Sequence, residues 1–143
     1  MDRKFLFDFL HRHSLAVLST ADSNCKPESA VVQFGDTENF EIIFDTIKTF
    51  RKYRNLNQNN HVSIVIGWDE DQTVQYEGQA FELDGDDLQK YKNLFFDKLP
   101  EVRQYESREG ITYFKVVPTW IRYTDLRVFP WKTFEVTRAD INF

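Results

Sequence analysis

Apolar residues recur at two spacings along the chain, and each spacing predicts a different kind of element. Near the start, Phe5, Leu6, Phe9 and Leu10 share one face of a helix that Asp2 can cap and that ends near His13. Short β-like runs follow at Leu15 to Thr20, Glu28 to Phe34 and Phe40 to Asp45, separated by polar turns at Ala21 to Lys26 and Gly35 to Asn39. They predict a meander of antiparallel strands. Ile47 to Asn57 reads as a helix closed by Asn57-Gln58-Asn59-Asn60, residues that favour turns. Two more strands are expected at His61 to Trp68 and Thr73 to Leu83, joined by the acidic turn Asp69-Glu70-Asp71. Asp84 to Leu99 forms a second helical pattern, with Leu88, Tyr91, Leu94 and Phe95 on one stripe and Pro100 stopping it. The last two strands are expected at Ile111 to Val117 and Trp120 to Arg127.

Short strands at this spacing, with helices inserted at separate points, predict a small barrel instead of an alternating parallel sheet. The expected class is mainly β with helices (α+β), an antiparallel split or closed β-barrel of about six strands. With 143 residues, no repeat and no Pro/Gly/Ser-rich linker, residues 1–143 read as a single domain.

No apolar run approaches the ~20 residues of a membrane-spanning helix. The charged start, followed by Asp8, His11, Arg12 and His13, lacks the smooth apolar stretch of a secretion signal. Cys25 is the one cysteine and has no internal disulfide partner, so a reducing, cytoplasmic setting is expected. The net charge of −5 argues against a nucleic-acid partner, whose affinity would come from clustered Lys and Arg.

The charge is unevenly placed. Thr46 to Trp68 holds Lys48, Arg51, Lys52 and Arg54 with no acidic residue, a +4 segment in a chain that is otherwise −9. On a helix starting near Ile47, Lys48, Arg51 and Lys52 would share a face, with Phe50 and Tyr53 roughly opposite. Cations in a first helical turn oppose the macrodipole, so the arrangement makes sense chiefly with an anion beside them. Free backbone N–H groups, the hydroxyls of Thr46 and Thr49, and a bidentate arginine would suit a phosphate monoester. A solvated basic helix face is the other reading of the same spacing.

Strand, Thr46, then Arg51-Lys52-Tyr53-Arg54-Asn55-Leu56, four polar residues and the strand Val62 to Ile66 resembles the flavin-phosphate segment of the pyridoxamine-phosphate oxidase-like split-barrel family. Leu15 to Thr20 with Lys26-Pro27 and Ser29 to Phe34 resembles that family's first hairpin, and Gly67-Trp68-Asp69 with Thr73 to Ala80 its next one. The likeness runs from about His13 to Pro118. It implies riboflavin 5′-phosphate (FMN) bound at a homodimer interface. Thr46, Arg51 and Lys52 match the phosphate-binding residues, Asp45, Lys48 and Thr49 lie in the same segment, and Ser29, Ala30 and Val31 match strand residues under the ring system.

There are departures. Phe50 stands where the family often has serine, and Glu28 and Gln33 stand where the true oxidase has a basic residue at each end of the strand. The oxidase's C-terminal Arg-x-His-type signature has no counterpart after Pro118. The resemblance therefore implies a small FMN-dependent oxidoreductase of unidentified substrate, with a nicotinamide nucleotide or a reduced small molecule as donor. A flavin module that stores or senses without turnover, and a deazaflavin- or haem-binding relative, are the alternatives.

Other chemistry finds little support. No nucleophile elbow is present, and none of the five glycines sits in a GxGxxG or GxxxxGK setting. No protein side chain is assigned a catalytic role, since the flavin would perform the transfer. His11 and His13 point apart on the first helix with no carboxylate nearby except Asp8, so no metal site is expected. Asp84, Asp86 and Asp87 read as capping and solvating the second long helix. Trp120, Tyr123, Phe129 and Trp131 read chiefly as core or interface packing.

Overall fold

A computed structural model describes residues 2–141. Helix α1 (Arg3–His11) is capped by Asp2, whose carboxylate accepts from the Phe5 N–H, and buries Leu6, Phe9 and Leu10. Strands β1 (Leu15–Ala21), β2 (Pro27–Gln33), β3 (Gly35–Asp36) and β4 (Ile42–Ile47) lead to helix α2 (Arg51–Gln58). Strands β5 (His61–Ile66) and β6 (Gln72–Glu82), helix α3 (Gly85–Lys98), a 3₁₀ segment (Pro100–Tyr105), and strands β7 (Ile111–Asp125) and β8 (Lys132–Thr137) complete the order.

All pairings are antiparallel, in the order β2-β1-β5-β6-β7-β4-β3, with β8 on β7. The sheet curls until β2 and β4 lie within 8 Å without a hydrogen-bonded ladder, leaving the barrel split between them. The expected α+β split barrel is what forms, with eight strands among the described residues.

β4 is buried on both faces, which explains its unbroken Ile42-Ile43-Phe44 run. Ile42 and Phe44 join the barrel core with Phe9, Phe34, Tyr76, Phe114 and Val116. Ile43 faces a second cluster, in which α3 contributes Tyr91, Phe95 and Phe96 and β7 contributes Tyr113. The fully buried Tyr76 hydroxyl donates to the carbonyls of Phe40 (2.8 Å) and Val116 (3.2 Å), so the deepest aromatic carries its own polar partners.

Besides the turn expected at Gly35 to Asn39, which opens with β3 paired to β4, three expectations need correction. The Ile47–Asn57 helix starts four residues late, because Ile47 still pairs with Ile111 in the β4–β7 ladder. The two last strands are one, β7, which passes through Pro118 at a bulge. There Gly78 faces Pro118, Glu77 faces Trp120 and Thr119 is the extra residue, and a Cβ on Gly78 would lie 2.6 Å from the Val117 carbonyl oxygen. The third is β8, a strand not expected although Phe134 and Val136 alternate with polar residues; those two turn to the core.

Candidate functional site

The basic segment forms a turn followed by a short helix. The Lys48 N–H donates to the Gly110 carbonyl (2.9 Å) and the Phe50 N–H to that of Ile47 (2.9 Å). Gly110 adopts φ +80°, so its carbonyl reaches Lys48 at a conformation few other residues take. Phe50 is the N-cap of α2 and supplies no side-chain cap, which leaves the terminus open to an external acceptor.

Two clefts flank this terminus and share Phe50 and Lys52. The first, about 420 Å³, is lined by Leu18, Thr20, Glu28, Ser29, Ala30, Thr49 and Arg51. The second, about 290 Å³, lies in the barrel split, between Leu15, Val31 and Gln33 on one side and Asp45, Thr46 and Ile47 on the other, with Arg108 and Tyr105 at its edge.

The structure divides the residues expected to act together. Ser29, Ala30, Thr49, Arg51 and Lys52 line the first cleft; Val31, Asp45, Thr46 and again Lys52 line the second. Lys48 lines neither and lies before the helix, with its Nζ 6.0 Å from the Tyr53 ring centre. The three cations therefore do not share a helix face. Thr46 is buried on the wall of the second cleft, and its hydroxyl has no partner among the described residues.

Sequence spacing also hid the acidic partner of the basic segment. Glu28 on β2 forms an ion pair with Arg51, its Oε2 2.8 Å from Nη1, and lies 3.8 Å from Lys26 Nζ, with its side chain only 10% exposed. Asn55, fully buried on α2, donates through Nδ2 to Glu28 Oε1 (2.8 Å) and Thr20 Oγ1 (3.0 Å). Thr20 and Glu28 face each other in the β1–β2 hairpin, but Asn55 lies 27 residues beyond Glu28, so only the fold reveals the cluster. His13 likewise meets Asp69 and Glu70 from the β5–β6 turn, with donor atoms within 4.8 Å of one another, although Glu70 already accepts from Arg12 at 3.0 Å.

Asp45 lines the second cleft and its buried Oδ2 has no partner among the described residues; the buried hydroxyl of Tyr113, which pairs with Asp45 across the β4–β7 ladder and belongs to the second cluster, has none either. Burial pushes the Asp45 carboxyl above the usual carboxylate range, against the pull of Lys52. Burial also lowers Lys52, and Tyr113 is pushed up to about 12 by burial and then by Asp45 and Glu106. A raised carboxyl contributes its full stability below 3.8, where folded and unfolded chains both hold the proton, and loses it as pH rises through the folded value. Asp45→Asn is expected to remove that loss, so urea midpoints followed from about pH 3 upward should decline less in the variant than in the parent.

The sequence model of pyridoxamine 5′-phosphate oxidase matches residues 3–125, most of the chain and all of both clefts' strands. The chain belongs to the pyridoxamine 5′-phosphate oxidase family. Among curated proteins none matches. Solved structures share the fold of this family member. The haem-binding protein from Mycobacterium smegmatis superposes with a TM-score of 0.83 at 15% identity, covering 99% of this chain and 60% of that one. HutZ, the haem storage protein from Vibrio cholerae, gives 0.70 at 17% identity over 80% of this chain and 88% of that one. General Stress Protein 26 from Bacillus anthracis gives 0.73 at 20% identity over 94% and 98%. The chain spans about three fifths of the Mycobacterium protein's length.

The first cleft fits a flavin phosphate. Leu18 and Ala30 provide apolar wall, and Thr49, Arg51, Lys52 and the uncapped start of α2 gather donors at one end.

Proposed function

We propose that the chain binds FMN in the cleft between β2 and the start of α2, and acts as a small oxidoreductase. One observation carries this reading: an uncapped helix terminus with Arg51, Lys52 and Thr49 stands at the end of a slot walled by Leu18 and Ala30. When bound, the flavin would supply hydride or electron transfer, so the chain needs no nucleophile or acid–base dyad of its own. The protein's work is to bind the phosphate, orient the ring against β2 and exclude water. The half-open slot leaves the last task to a second copy of the chain. Val31 is 60% exposed, and Leu15 and Phe50 are also uncovered around the two clefts, so a homodimer would bury apolar surface that the monomer leaves in water.

The likeness to a haem-binding protein and a haem storage protein favours a second reading, haem binding. Titration with FMN, riboflavin and haemin, followed by visible absorbance and flavin fluorescence, separates the readings. FMN is expected to bind more tightly than riboflavin, and a nicotinamide donor to bleach the bound flavin. Tight haemin binding with no response to FMN would replace the flavin reading. FMN binding without bleaching would leave a storage or sensing module.

A further inference from the structure

The cation that best matches a phosphate ligand is already held by the protein's own carboxylate. Arg51 Nη1 lies 2.8 Å from Glu28 Oε2, and both residues line the first cleft. Glu28 is not a loose surface acid. Its side chain is 10% exposed, and Oε1 is fixed by the Nδ2 of the fully buried Asn55, itself bonded to Thr20. Its other oxygen also has a second cation within reach, Lys26 Nζ at 3.8 Å.

We propose that Glu28 is an internal competitor for the ligand phosphate: Arg51 is free to bind a phosphate monoester only when the Glu28 carboxylate transfers from Arg51 to Lys26. This rests on the reading of the first cleft as the FMN site. A dianion arriving with Glu28 in place would meet a like charge a few ångströms away, in a partly buried setting where screening is weak. Moving Glu28 onto Lys26 relieves that repulsion and keeps the buried carboxylate paired. Glu28 and Lys26 thus set how strongly the cleft prefers a phosphorylated ligand over its neutral counterpart. Both act through Arg51 as positioning residues.

The test uses FMN and riboflavin, which differ by the phosphate alone. Glu28→Gln keeps an acceptor for Asn55 while removing the charge, and is expected to tighten FMN about tenfold with riboflavin unchanged, the scale of one nearby like charge. Lys26→Ala is expected to weaken FMN in the parent and to have no effect in the Glu28→Gln background. Unchanged or weaker FMN binding in Glu28→Gln, with the parent still binding FMN, would make Glu28 a structural strut and overturn the proposal alone. Equal tightening of riboflavin would mean a reshaped slot and would also overturn it. A Lys26→Ala effect of the same size in both backgrounds would place Lys26 on the phosphate directly and overturn the transfer. Failure of both parent and Glu28→Gln to bind FMN would remove the underlying flavin reading as well.

Discussion

Replacing Arg51 and Lys52 together by glutamate is expected to lower FMN affinity by at least about a hundredfold while the barrel stays folded. Each cation offers a charge-assisted contact of roughly 1.5–3 kcal/mol, and reversal replaces attraction with repulsion. The fold should survive because Arg51 is exposed and α2 is held through Leu56 and Asn55 on its other side. The acid introduced in place of Arg51 would face Glu28, so Arg51→Gln with Lys52→Gln serves as the control without new repulsion and should lose a smaller part of the affinity. FMN fluorescence quenching reads the affinity, and far-UV circular dichroism the fold. Undiminished FMN affinity in the charge-reversed variant would move the phosphate away from α2.

The elements that could be read locally were those whose register repeats over several turns or pleats. The helix expected at Asp84 to Leu99 is α3, and the strand expected at Thr73 to Leu83 is β6, each within one residue. The start of α2 failed because Ile47 satisfies a helical stripe and a strand ladder equally well, and its partner Ile111 lies far along the chain. Pro118 looked like a strand end because its bulge depends on Gly78 across the ladder. The candidate site divides the same way. The local basic segment was visible, but its electrostatics were not. Glu28 was noticed only as a departure from a family pattern, while its contact with Arg51 exists only once β2 curls beside α2. The orphaned pair of Asp45 and Tyr113 likewise depends on the β4–β7 register.

A different charge cluster, away from both clefts, carries the largest expected effect on stability. The Asp36 carboxylate is fully buried; Lys98, its side chain only 6% exposed, donates to it from Nζ at 3.0 Å, and His11 Nδ1 contacts its other oxygen at 2.7 Å. These three residues join β3 to the end of α3 and the end of α1, and Lys98 Nζ also lies 3.8 Å from the Phe34 ring centre. Burial lowers the Lys98 pKa from its usual range, against the pull of Asp36, as expected when desolvation outweighs pairing. Lys98→Met keeps the aliphatic bulk but leaves Asp36 with His11 as its remaining partner, and is expected to cost about 3 kcal/mol of unfolding free energy. Adding Asp36→Asn should recover most of that loss, because an uncompensated buried charge is more expensive than a buried neutral amide. Urea denaturation of the two single variants and the double gives the coupling directly. Additive losses in the double variant would show that Asp36 and Lys98 contribute separately, through packing instead of through their charges.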